Sequence, residues 1–244
     1  MYGKLKIALL CLAVVLVYGV NAPAEIFREN FDSYAAGSQM HGQGGWKGWD
    51  NSPSAGALVS SAFAFSSPNS VAIAGDSDLV HEFTGLTSGR YEVSAMQYIP
   101  SGATATTYFI LLNTYNDGGP YDWSVQLQFN LDTDTLDDLF ALDPKPTLPV
   151  VRDQWVKIAA DIDLDADTVK VYYNNTFLAP AHVWKTGTSS VSEIKAIDLY
   201  AGSSAATMAY YDDIVIRVIP EPSVLCLLGT GLLALGLVLR CRRK

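Results

Sequence analysis

The residues best suited to chemistry are aspartates, tryptophans, tyrosines and three histidines. Asp212 lies in the alternating set Tyr210, Asp212, Ile214, Ile216 and Val218. Alternation places that set on one strand face, and its apolar members mark the face as inner. A carboxylate there needs hydrogen-bond donors or a hard cation. Asp132-Thr133-Asp134 with Asp137-Asp138 is a weaker cation candidate, lacking the Gly and terminal Glu of an EF-hand loop. Two aromatic segments could stack against a sugar ring while neighbouring polar groups bind its hydroxyls. One holds Trp46 and Trp49 around Lys47-Gly48, followed by Asp50-Asn51; the other holds Tyr115, Asn116, Asp117 and Tyr121. The alternative for both segments is packing of a loop or core. Trp123 alternates with Val125 and Leu127 and is expected in the core, whereas Trp155 falls opposite the aliphatic set of its strand.

Catalytic patterns are weak. Residues 25–219 contain five glutamates, Glu25, Glu29, Glu82, Glu92 and Glu193, and no two lie close on one strand. Asp161 and Asp163 share a strand face but run into the Asp165-Ala166-Asp167 turn, where acids are ordinary turn formers. His41, His81 and His182 are scattered, are expected on the surface or in loops, and accompany no Gly-x-Ser-x-Gly elbow. The sequence is therefore read as non-enzymatic.

The elements that position these residues read as strands. Val156, Ile158, Ala160, Ile162 and Leu164 alternate with Lys157, Asp161 and Asp163, and Val169, Val171 and Tyr173 alternate with Lys170. Tyr108–Leu112 reads as a strand covered on both faces. Asn174-Asn175 fits a tight hairpin turn with positive φ. Asp132–Pro149, acidic and closed by three prolines, is expected to be a long loop with one helical turn. About a dozen mostly antiparallel strands predict an all-β, two-sheet sandwich.

Residues 25–219 carry ten Lys/Arg against 24 Asp/Glu, a balance that repels phosphate backbones and excludes nucleic acid as the expected partner. The three cysteines, Cys11, Cys226 and Cys241, all lie outside this stretch, so no disulfide framework or thiolate metal site is expected within it. Residues 1–24 read as a signal peptide: Lys4 and Lys6, the apolar run Leu5–Val20, then Ala22-Pro23-Ala24. At the other end, Pro220-Glu221-Pro222 precedes the uncharged run Ser223–Leu239 and Arg240-Cys241-Arg242-Arg243-Lys244. Seventeen helical residues at about 1.5 Å span roughly 25 Å, which snorkelling arginines extend toward a hydrocarbon core of about 30 Å.

This tail, residues 220–244, resembles the PEP-CTERM sorting signal. The resemblance implies transient anchoring in the inner membrane, recognition by an exosortase, and export to the cell surface or extracellular matrix. The body, 25–219, resembles the concanavalin A-like lectin/glucanase jelly roll in its laminin-G-like form. The resemblance rests on Phe31-Asp32-Ser33-Tyr34, Gly44-Gly45-Trp46, Gly89-Arg90-Tyr91-Glu92-Val93, Gln154-Trp155-Val156-Lys157-Ile158 and Tyr211-Asp212-Asp213-Ile214. It implies a jelly-roll topology and a calcium site joining Asp32 to Asp212 or Asp213, with a hydrogen-bonded structural Asp212 as the alternative. Glucanase relatives use a Glu-x-Asp-x-x-Glu strand, which this sequence lacks. The expected function is carbohydrate or matrix binding, with extracellular polysaccharide as partner. A purely structural matrix component, or a divergent glycosidase or polysaccharide lyase, are the alternatives.

Overall fold

The computed structural model describes residues 23–141 and 147–220. The strands are β1 (Glu25–Glu29), β2 (Trp46–Gly48), β3 (Leu58–Ser60), β4 (Ser70–Ile73), β5 (Asp78–Glu82), β6 (Arg90–Tyr98), β7 (Thr106–Thr114) and β8 (Asp122–Asn130). They continue as β9 (Thr135–Asp138), β10 (Thr147–Pro149), β11 (Trp155–Asp163), β12 (Thr168–Tyr173), β13 (Thr176–His182), β14 (Ala196–Tyr200) and β15 (Ala209–Val218). Two single 3₁₀ turns, Trp49–Asn51 and Pro53–Ala55, follow β2. One sheet has eight strands in the order β13-β12-β11-β6-β15-β4-β3, with β1 also on β15; the other has seven, β10-β9-β8-β7-β14-β5-β2. The fold is the two-sheet antiparallel sandwich the alternation predicts. The expected signal peptide and sorting helix fall almost wholly outside the described residues. Among those residues no helix is long and apolar enough to cross a membrane.

The main core lies between the sheets. Phe109, Leu111, Val125, Leu127 and Phe129 of one sheet pack with Val93, Ile158, Ile162, Val171 and Ile216 of the other. Complete burial of each such side chain contributes roughly 1.5–3 kcal/mol. Tight turns set the register. Asn174 and Asn175 take φ of 48° and 61°, the left-handed pair a two-residue hairpin needs.

Two phase assignments and one loop assignment require correction, each for a local reason. In β8 the register jumps between Leu111↔Val125 and Leu112↔Trp123. Ser124 is the extra residue of a bulge, so Trp123 turns away from the core side occupied by Val125. In β15 the register shifts between Asp212 and Val215, and Asp213 takes φ 43°. Tyr211 therefore joins Ile214 and Ile216 in the core, while Tyr210 and Asp212 face outward. Third, Asp132–Pro149 holds the short strands β9 and β10 and no helical turn within its described residues. Leu136 and Asp138 both point inward, and the inward acid hides the period-2 signal.

Asp138 is fully buried and accepts a hydrogen bond from His182 Nε2 at 2.9 Å, while His182 Nδ1 donates to the Val183 carbonyl at 3.0 Å. The pair ties β9 to β13 across one edge of the sandwich. Burial alone would lower the His182 pKa, but the hydrogen bond and charge of Asp138 outweigh it and raise it. His182 is thus a buried strand residue, contrary to the expectation of a surface or loop position.

Candidate functional site

The outer face of the seven-stranded sheet is apolar: Val80, Ile110, Leu112 and Ala196 point away from the main core. Water cannot be left against such a surface without cost. Two loops fold back over it and meet there. The first is the turn Trp49–Asn51; Gly48 makes it possible, because a Cβ at that position would lie 2.0 Å from the Ser52 carbonyl oxygen. The second is the β7–β8 connection, which carries Tyr115 and Tyr121. Trp49 packs edge-on to Tyr115 at 4.9 Å, tilted to Tyr121 at 4.7 Å, and parallel to Trp123 at 6.2 Å. The segments read as two separate aromatic loops therefore form one cluster.

Polar contacts fix its edges. Asp50 Oδ1 accepts from the Tyr121 hydroxyl at 2.5 Å and from Gly118 N–H at 2.9 Å. The Asp50 N–H donates to the Tyr115 hydroxyl at 2.9 Å, and that hydroxyl donates to Asp117 at 3.3 Å. Lys47 Nζ reaches Asp117 and Glu82, each at 2.6 Å, and lies 5.2 Å from the centre of the Tyr115 ring. The Tyr121 and Gly118 donors hold the Asp50 carboxyl below its usual range. Burial would lower the Lys47 pKa, yet Asp117 and Glu82 raise it overall, so the ammonium stays charged. Tyr115 is fully buried and serves as a foundation, whereas Trp49, Tyr121 and Trp123 are half-buried and Asn116 and Asp117 exposed. Three ring surfaces bordered by carboxylates and an ammonium, next to the exposed loop residue Asn116, can stack on a sugar and bind its hydroxyls. Trp46 takes no part: it is 1% exposed and packs against Phe31 and His81 with its indole N–H on Glu29. A ring without a free face cannot stack on a ligand.

The residues of the expected calcium site are separately engaged. Asp212, 0% exposed, lies beneath the loop Ser61–Asn69, which folds across the outer face of the eight-stranded sheet. Its carboxylate accepts from Phe65 N–H (2.7 Å), Ser66 N–H (2.9 Å), Ser66 Oγ (3.3 Å) and Asp213 N–H (2.7 Å). Burial pushes its pKa up to about 6 despite the backbone donors, which pull it down. Phe63 of this loop stacks on Tyr98 at 4.3 Å, and Phe65 meets Trp155 at 6.0 Å. Asp213 binds Arg28 at 2.8 Å; Asp32 accepts from Asn69 N–H and Asn30 Nδ2. The second acidic segment also disperses: Asp134 goes to Arg152, Asp137 to Thr147, Asp138 to His182. Among the described residues no three His, Cys, Asp or Glu side chains gather as a metal would require.

On the outer face of the eight-stranded sheet Asp161 stands opposite Glu92 in register, beside Lys157, which binds Glu92 at 2.8 Å. Burial first, then the Glu92 charge, raises the Asp161 pKa. Asp163 is held at the strand end by Arg90 at 3.4 Å.

The sequence reading missed Asp78 and Asp198. Both lie on the same outer face as the aromatic cluster, Asp198 between Val80 of β5 and Ile110 of β7. Asp198 is 2% exposed, and its carboxyl meets that of Asp78. The available signal was the lone acid inside the apolar strand Ala196-Ile197-Asp198-Leu199-Tyr200.

Residues 218–244 match the family model described as the PEP-CTERM protein-sorting motif. Pro220 is described in the structure; Glu221, Pro222 and the segment after them lie outside the described residues. The motif implies export and exosortase sorting to the cell surface. No curated protein matches the chain. Solved structures similar to it include a sialidase with 8% identity and TM-score 0.50, over 82% of this chain and 19% of that one. A carbohydrate esterase from the Shiga toxin-encoding bacteriophage phi24B has 15% identity and TM-score 0.49, over 80% and 100%. The Caenorhabditis elegans galectin LEC-6 has 10% identity and TM-score 0.40, over 56% and 88%. The chain spans less than a third of the length of the sialidases it resembles. At these identities the likeness concerns the fold. The chain thus carries a PEP-CTERM sorting motif after a two-sheet antiparallel β-sandwich.

Proposed function

We propose that the body is a non-catalytic module that binds extracellular polysaccharide at the cell surface through the Trp49–Tyr121–Trp123 face. The observation carrying this reading is the convergence of three half-buried rings with Asn116, Asp117, Asp50 and Lys47 on one sheet face. The sorting motif supports an address where such a ligand occurs. A structural matrix component is the second reading, favoured by the close packing of the rings on one another. A catalytic reading finds less support. Both His182 ring nitrogens are engaged, and Glu92, opposite Asp161, is tied to Lys157.

The test is a glycan array probed with the purified full chain, in calcium and again in chelator. Binding is expected in both conditions, because Asp32, Asp212 and Asp213 already hold protein donors. Trp49→Ala should weaken it at least about tenfold through loss of stacking, without a matching fall in melting temperature. Absence of binding would favour the matrix-structural reading. Depolymerisation of a bound polysaccharide that depends on Glu92 or Asp161 would favour the enzyme.

A further inference from the structure

Beside the aromatic cluster runs a groove of about 410 Å³, within the range of roughly 300–1,000 Å³ of small-ligand clefts. Trp49 and Tyr200 supply aromatic surface, and Asp50, Asp76 and Asp78 supply carboxylates. Among the described residues no Lys, Arg or His lines it. Asp198 stands behind Asp78, almost wholly buried. Asp78 Oδ1 and Asp198 Oδ1 are both buried without a hydrogen-bond partner among the described residues. The Asp78 carboxyl meets that of Asp198, so the pair either shares a proton or stands as two unmatched charges. Lys47, whose charge reaches Asp50, is held by Glu82 and Asp117. Among the described residues, the carboxylates of the groove therefore outnumber the cations that reach it.

We propose that this groove binds the free ammonium group of an amino sugar in a de-N-acetylated polysaccharide, with Asp78 as its counter-charge, Asp198 behind it coupling to that carboxyl, and Trp49 and Tyr200 as its stacking surfaces. The proposal rests on the glycan reading above and narrows its ligand to a cationic sugar. An ammonium supplies the donors that the carboxyl pair lacks and is attracted to aromatic faces. With one proton shared, the pair carries a single negative charge, which the ammonium balances with no proton released. Anionic sugars are repelled by the four aspartates. An N-acetyl group has no charge to offer and adds bulk where the ammonium would sit.

The experiment titrates the full chain, at slightly acid pH where the sugar amine is protonated, with a glucosamine oligosaccharide, its N-acetylated counterpart and an oligolysine. The free-amine oligosaccharide should bind at least about tenfold tighter than the acetylated one, as expected for a charge-assisted hydrogen bond. Asp78→Asn and Asp198→Asn, each nearly isosteric, should erase that preference while leaving the fold intact by thermal melting. Equal binding of both oligosaccharides, with Asp78→Asn silent, would overturn this inference and leave the glycan reading standing. Oligolysine binding as tightly as the amino sugar would overturn the assignment to a sugar. Failure of every oligosaccharide here and on the array would overturn both readings.

Discussion

Asp212 and Asp198 are the same residue type, 0% and 2% exposed, on the outer faces of opposite sheets. The chain treats them in opposite ways. Over Asp212 a loop closes and delivers backbone N–H groups from Phe65, Ser66 and Asp213. Asp198 Oδ1 has no hydrogen-bond partner among the described residues, and its neighbour is a second carboxyl. The first arrangement completes a structure, since every donor comes from the chain. The second leaves an acid unmatched next to an open groove, a condition that marks functional surfaces more than scaffolds. The aromatic residues do not separate the faces in this way: Phe63, Tyr98 and Trp155 on the eight-stranded sheet are half-buried, as are Trp49, Tyr121 and Trp123 on the seven-stranded sheet, so the contrast lies in the acids.

The largest expected effect breaks the comparison at Asp212. Asp212→Leu strips the acceptor from buried N–H groups and should destabilise the protein by about 2–4 kcal/mol in denaturant unfolding. Asp117→Leu, at an exposed loop site, should cost less than about 1 kcal/mol. Equal losses would show that the loop over Asp212 does not depend on its carboxylate. Asp198→Asn should act with the opposite sign. Burial first, then the Asp78 charge, raises the Asp198 pKa well above its ordinary value. An acid with a raised folded pKa stabilises at low pH, and that contribution is lost as pH rises above about 4. At pH near 8 Asp198→Asn should therefore raise the melting temperature, and near pH 4 it should do little. A fall in melting temperature at alkaline pH would mean that the carboxylate is matched after all.

The smallest effect sharpens the comparison with a third buried acid, Asp138, whose partner is His182. The raised His182 pKa gives stability that is fully present below about pH 6.5 and lost as pH rises through the folded value. His182→Gln should flatten that part of the melting profile. An unchanged profile would show that His182 is neutral beside Asp138. Asp212, with its pKa near 6, and the Asp78–Asp198 pair push the same way. The protein should accordingly melt higher near pH 5 than near pH 8.

Much of the scaffold was legible because period-2 alternation survives wherever a strand is regular. β11, β12 and the Asn174-Asn175 turn follow from residue types alone. The misread phases sit at Ser124 and Asp213, where one extra residue inverts the pattern beyond it. Alternation cannot reveal a bulge that lies between two plausible strand halves. Trp49, Tyr115, Asn116, Asp117 and Tyr121 stand out by residue type but not as one cluster, because folding over Val80 and Ile110 brings the loops together. Trp46 was misread because Gly-rich flanks suggested an exposed loop, whereas the residue opens β2 and points into the core. Asp78 and Asp198 are 120 positions apart, and only the pairing of β5 with β14 makes them neighbours.

The most direct test of the account is backbone hydrogen exchange of the full chain with and without an oligosaccharide that binds it. The account predicts slowed exchange at residues 47–52, 75–78 and 115–123, with residues 61–69 over Asp212 unchanged. Protection confined to residues 61–69, or to β6 and β11 around Glu92 and Asp161, would place the ligand on the opposite sheet and contradict it.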